Sequence, residues 1–310
     1  MLMRKYVCYT PLILILSFFI LSSCKNRNPN YITYYNKVNE IDSVYRYKKD
    51  TLAVIKQYKK LFRQYPPKNQ ERILEYETYI KLADKQHMKF GGRKSLYRLI
   101  PLVAHNWQYK RKENDFIQLY QKHGIDRQEM DNEVARWKKG LNRKLVDSFT
   151  VVFQRDQENK RSDYELLKSN DRKNAQTLKW MFANYGFPGL QKIGLWNGDF
   201  FMPSGPILLH MADYPENHLY FKDKILEYVK SGDCPPRDYA AMIDRYYLHV
   251  LKKEIPYGVY SGYEGIKDSV MVNRNRKSIG LPSLKHVQLI IKDNFKRIKK
   301  KNDPDHLSKP

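Results

Sequence analysis

From Asp50 onward, apolar side chains recur at intervals of three and four residues, and Pro or Gly pairs break the runs. That interval matches the 3.6-residue turn of an α-helix and not the two-residue alternation of a strand. Val54, Ile55, Tyr58, Leu61, Phe62 and Tyr65 form one stripe, which Asp50 can cap and Pro66-Pro67 must stop. Ile73, Tyr76, Ile80 and Ala83 form a second, ending before Gly91-Gly92. Ser95 is placed to cap a third, with Leu96, Leu99 and Val103, which Pro101 should kink. A helix with one apolar side must be covered by another element, so the chain is constrained to pack helix on helix. The pattern predicts a mainly α protein of N-terminal helical hairpins followed by a second helical domain. No repeat period is firm enough for a tetratricopeptide solenoid.

The stripes continue with Phe116, Leu119, Tyr120 and His123, closed by Gly124. Asp126 with Glu129 reads as a capping box. After it Met130, Val134, Trp137, Leu141, Leu145, Phe149 and Val152 predict one helix of more than five turns, with Gly140 inside it at a cost of about 1 kcal/mol. Gln154 to Arg161 has no apolar face and marks a boundary near residue 155. Beyond it, helices are predicted over Asn174 to Ala183, Ile207 to Ala212, Glu216 to Lys230, from Pro235-Pro236, and from Ser283 to Phe295. Residues 189–206 are Gly-rich and read as an ordered loop. Residues 255–272 turn β-branched and aromatic between glycines, which predicts a short β-hairpin.

The first 24 residues differ from all the rest. Arg4 and Lys5 precede an apolar stretch from Leu12 to Leu21, too short for the roughly 20 residues of a stable membrane span. A charged start and a short apolar core are the marks of a signal peptide. The stretch ends in Leu21-Ser22-Ser23-Cys24, which resembles the lipobox of bacterial lipoproteins. That resemblance implies cleavage before Cys24 and a lipid on its sulfur, with residues 1–23 as signal and 24–49 as a tether. Lys25 in place of an acidic residue then implies the periplasmic leaflet of the outer membrane. Cys8 would leave with the signal, so Cys234 would be the one free thiol and no internal disulfide could form.

Lysine and arginine number 57 against 33 acids, a formal charge of +24. In an exported protein this excess points to lipid head groups or an acidic envelope polymer, and no nucleic acid is expected as partner. A Lys-rich composition spread over solvated faces gives the same count without any partner.

Residues from about 150 to 290 carry a second resemblance. Asp156-Gln157 with Arg161, Tyr185-Gly186-Phe187-Pro188, Gly194, His210-Met211-Ala212-Asp213, Asp244-Arg245, Tyr257-Gly258, residues 273–277 and Gly280-Leu281-Pro282 follow one another in a characteristic order. Together they resemble a bacterial family known only as a domain of unknown function, although the Gln positions of its Gln-His-x-x-Asp and Tyr-Gly-Thr-Gln elements are lost. The resemblance implies a domain over 156–295, followed by a basic tail over 296–310, and no reaction.

These motifs supply the candidate polar site: His210, Asp213, Asp244, Arg245, Tyr257 and Arg276. A carboxylate three residues from an imidazole can share a helix face with it and fix its tautomer for base catalysis. Arg245 and Arg276 offer forked donors to an anion. The structural alternative is a buried network in which Asp244 pairs Arg274 or Arg276 and ties helices together. The chain has no zinc-finger spacing, HExxH, P-loop, dinucleotide-binding GxGxxG or GxSxG, so no metal and no cofactor is expected. Cys234, preceded by Asp233, is a poor nucleophile. The expectation is a lipid-anchored, non-catalytic binding or scaffold protein whose helical array engages another protein or an acidic polymer, with a hydrolase using His210 and Asp213, with or without a metal, as the alternative.

Overall fold

The computed structural model describes residues 30–301 except residues 71, 159–161, 212 and 261–265. The signal peptide, Cys24 and the last nine residues of the basic tail lie outside these. α1 spans Tyr31–Ser43 and runs into a π-turn at Val44–Lys48. α2 (Thr51–Gln64), α3 (Glu75–Lys85), α4 (Gly92–Val103), α5 (Trp107–Lys110), α6 (Asn114–Lys122) and α7 (Arg127–Lys139) follow. Next come α8 (Arg143–Gln157), α9 (Tyr164–Tyr185) and α10 (Leu190–Ile193). After a small hairpin, α11 (Ser204–Met211), α12 (Pro215–Ser231), α13 (Pro236–His249), α14 (Ser269–Ser278) and α15 (Leu284–Lys301) complete the fold. The protein is mainly α, with one short β-hairpin among the described residues. Among the described residues no helix is long and apolar enough to cross a membrane.

The caps act as the spacing predicts. Asp50 accepts from the Ala53 N–H at 2.9 Å, and Asp126 accepts from the Glu129 N–H at 2.7 Å. Ser95 does not cap: α4 has already begun at Gly92, and the Ser95 hydroxyl donates to the Phe90 carbonyl instead.

Four other expectations are corrected. The tether over 24–49 contains α1, whose Tyr31, Tyr34, Tyr35, Val38 and Ile41 are buried at helical spacing. Tyrosine hides this period because its rings enter the core while the hydroxyls keep polar partners; Tyr34 donates to Glu75 Oε1 at 2.8 Å. The long helix over 126–152 is two helices. Gly140 ends α7, and Asn142 caps α8 by accepting from the Leu145 N–H at 3.0 Å. The hairpin lies at Trp196–Asn197 and Phe200–Phe201, with Trp196 opposite Phe201, and no strand forms among the described residues of 255–272. Its two-residue turn places Gly198 at φ +61°, a backbone region that glycine enters freely. The helix over 174–183 is longer at both ends, since Asp163 caps α9 eleven residues earlier.

α1 is the piece that closes the molecule. Asn36 and Asn39 donate to the carbonyls of Lys277 and Gly280, each at 2.9 Å, and Asp42 meets His286 Nε2 at 2.8 Å. Gly280 has φ +89°, and a Cβ there would lie 2.7 Å from the Cβ of Tyr35, so α1 seats directly on this turn. One apolar cluster runs from Tyr31 to Ile290, through both sides of the expected boundary at 155.

Candidate functional site

α11 ends on Met211 after packing against α8, α9 and α13. Its last turn and the chain just beyond carry three polar side chains, and each is held by a different helix. His210 Nδ1 lies 2.6 Å from Asp156 Oδ1 on α8. Asp213 accepts from Arg245 on α13, with Nε and Nη2 at 2.8 and 2.7 Å. The Tyr214 hydroxyl donates to Asp171 on α9 at 3.1 Å. The segment 210–214 is thus a polar hub joining four helices.

The expected pairing of His210 with Asp213 is corrected. The helix stops between them, so their spacing of three does not put them on one face, and each finds a partner from elsewhere in the chain. Asp156 is fully buried while the His210 side chain keeps 13% of its surface exposed. A buried carboxylate at Nδ1 orients the ring and leaves Nε2 as the nitrogen for a proton or ligand. Asp171 stands beside this pair, and one ligand atom each from Asp156, Asp171 and His210 lie within 4.8 Å of one another. One imidazole and two carboxylates are a donor set that suits a divalent transition metal. Arg245 is part-buried: burial works to lower its pKa, but Asp213 and Tyr260 raise it further, so it stays cationic. Its guanidinium also donates to the Tyr260 hydroxyl.

Asp244 and Arg276 do something different. Asp244 is fully buried and accepts from the backbone N–H groups of Tyr257 at 2.8 Å, Val259 at 2.6 Å and Tyr260 at 3.3 Å. Burial raises its pKa, opposed by these N–H groups and by the charge of Arg276. Arg276 donates to the carbonyls of Pro282 at 2.6 Å and Tyr257 at 2.7 Å. Asp244 and Arg276 interact through their charges, and both side chains also clamp backbone around Tyr257. Tyr257 is the held residue, its ring edge-on to Tyr239. The six candidates thus split into an exposed-edge hub (His210, Asp213, Arg245) and a clamp whose two charged side chains, Asp244 and Arg276, are buried around a part-buried Tyr257.

Asp156, Asp171, Tyr214 and Tyr260 are missing from the six candidates, and Asp156 figures in the sequence only as part of the resemblance. A signal existed for α9: Asn170, Asp171 and Asn174 are polar and buried in an otherwise apolar helix face. Cys234 is fully buried, and burial with Asp238 and Asp233 pushes its thiol well above the ordinary value, so it is inert. His123 ends α6 and meets Asp84 at 2.8 Å, a helix-end role.

No family model matches the chain, and no curated protein or solved structure matches it either.

Proposed function

We propose that the chain is a lipid-anchored protein of the cell envelope, held by Cys24 at the periplasmic leaflet of the outer membrane, and that it acts as a non-catalytic binding or scaffold protein. The signal and lipobox sequence supports the address. The non-catalytic reading is supported by one observation: the polar side chains of the hub and the clamp all hold helices or backbone in place. Asp213 is engaged by a forked guanidinium, Asp171 by Tyr214, and Asp244 by three amides.

Thermal unfolding of the full chain with His210→Ala and with Asp213→Ala tests this. Leaving one buried partner unsatisfied costs about 1–3 kcal/mol. For a chain of this size each kcal/mol lowers the melting temperature by roughly 2–4 °C. Both variants are expected to melt lower. A melting temperature that stays or rises in both would overturn the reading, because catalytic groups often reduce stability where they stand.

A second reading, a hydrolase, is favoured by the His210–Asp156 pair alone. A fully buried carboxylate behind a partly exposed imidazole is the arrangement of an oriented general base. Arg245, held beyond the same helix end, would supply a fixed positive charge to an oxyanion.

A further inference from the structure

A groove of about 560 Å³ opens on helices that the hub does not use, between α5 and α7, lined by Trp107, Gln108, Arg111, Lys112, Arg127 and Lys138. Four of these six side chains are cations. Asp131, the carboxylate that touches the lining, is already bound through both oxygens, by the Trp107 indole N–H at 2.6 Å and by Arg111 at 3.1 Å. Asp126, next to Arg127, is turned to its own helix, capping the Glu129 N–H. Lys112, Arg127 and Lys138 form no ion pair among the described residues, so three positive charges face the groove uncompensated.

Their placement selects the ligand. Arg127, Asp131, Val134 and Lys138 follow one another at four, three and four residues, and so share one face of α7. Eleven residues of helix separate the two cations by roughly 16 Å along the axis. A single tetrahedral anion would have to draw both from opposite ends, whereas a chain with repeated charges meets them where they stand. The cations line a shallow, open depression along which a strand can lie. We propose that this groove binds a strand of an acidic glycan, its carboxylate or phosphate groups engaged by Lys112, Arg127 and Lys138. The proposal deepens, and rests on, the reading of the chain as an envelope binding protein.

The test compares the full-length protein with two triple charge reversals. Lys112→Glu/Arg127→Glu/Lys138→Glu alters the groove; Lys56→Glu/Lys60→Glu/Lys230→Glu makes the same charge change at exposed positions elsewhere. Oligogalacturonate serves as the carboxylated glycan, measured by titration calorimetry at low salt and again at high salt, where screening weakens exposed charge contacts. Unfolding temperatures establish that both variants fold. The wild type and the remote variant are expected to bind alike, with the groove variant at least about tenfold weaker, a modest loss for three exposed charge contacts. Inorganic phosphate should displace the glycan only in large excess.

Equal loss in both variants would replace the groove by diffuse charge and overturn the proposal. So would absence of binding by the wild type, equal competition by phosphate, or capture by vesicles of phosphatidylglycerol without capture of the glycan. The His210 and Asp213 unfolding experiment reports on the non-catalytic reading separately, since the hub lies on other helices.

Discussion

Asp244→Ala is the substitution that most directly probes how the second half of the chain is held. Asp244 has no exposed surface, and its carboxylate takes two good backbone hydrogen bonds, from Tyr257 and Val259, and a long one from Tyr260. A hydrogen bond to a charged group contributes about 1.5–3 kcal/mol. The third, at 3.3 Å, lies outside the usual N–H···O range and adds little. Two strong bonds set an upper range of about 3–6 kcal/mol. Burial of the carboxylate offsets part of this, as its raised pKa records. The segment around Tyr257 is only partly buried, so freed amides can turn to water, which moves the expected loss to about 3 kcal/mol. That corresponds to a fall of roughly 6–12 °C in melting temperature. Asp244→Asn keeps one acceptor oxygen but sets an NH2 against a second amide, and should recover less than half of the loss. Arg276 holds the carbonyl of the same Tyr257, so Arg276→Met combined with Asp244→Ala should cost less than the two losses added. Urea unfolding gives the free energies, and amide exchange at Val259 reads the clamp itself. A loss under about 1 kcal/mol with Val259 still protected would refute the assignment of Asp244 as the residue that holds this segment.

His105 gives the pH dependence. Burial lowers its pKa to about 4, and its Nδ1 has no hydrogen-bond partner. The unfolded chain takes up this proton near the ordinary value of about 6.5 and the folded chain does not, so stability is full above that pH and is lost as pH falls toward 4. The ceiling is about 3 kcal/mol, less where water reaches the ring, and His105→Phe should flatten the pH dependence of urea midpoints; an unchanged slope counts against it. For the anchor, Cys24→Ala should abolish fatty-acid labelling and move the protein to the soluble periplasmic fraction, and a variant that keeps label and membrane partition contradicts the lipobox reading.

Caps and stops were legible where a single residue type carries the geometry. Asp50, Asp126 and Pro66-Pro67 did what their side chains dictate, whatever packs around them. α1 escaped because its buried positions are largely tyrosine, whose hydroxyls make an inward face look polar. The break at Gly140 escaped because Leu141 and Leu145 keep the apolar rhythm across it, so periodicity alone reads one helix where there are two. The hairpin was misplaced for an opposite reason: Gly198-Asp199 is a two-residue turn signal, but its strands are only two residues long. The described parts of the β-branched run are instead a segment at 257–260 fixed by Asp244 and the start of α14 at Ser269.

The candidate site shows where reading along the chain must stop. Spacing decides which side chains share a face of one helix, and it marked His210, Asp244 and Arg245 as polar positions on helices with an apolar side, while Asp213 lies past the end of α11. It cannot decide which helix crosses opposite. His210 found Asp156, 54 residues away, and Asp213 found Arg245, 32 residues away, because α11 lies across α8 and α13. This crossing also joins two properties that a mutational survey would seek to separate. The residues that would carry any chemistry at Nε2 of His210 — Asp156, Asp171, Arg245 and His210 itself — are among those that hold α8, α9, α11 and α13 together. Loss of an activity in a His210 variant would therefore carry no weight without an unfolding measurement beside it. In the groove between α5 and α7, Lys112, Arg127 and Lys138 are exposed and leave the apolar cluster untouched. A change there can alter binding while the fold stays as it is, which makes that surface the cleaner place to learn what the protein meets.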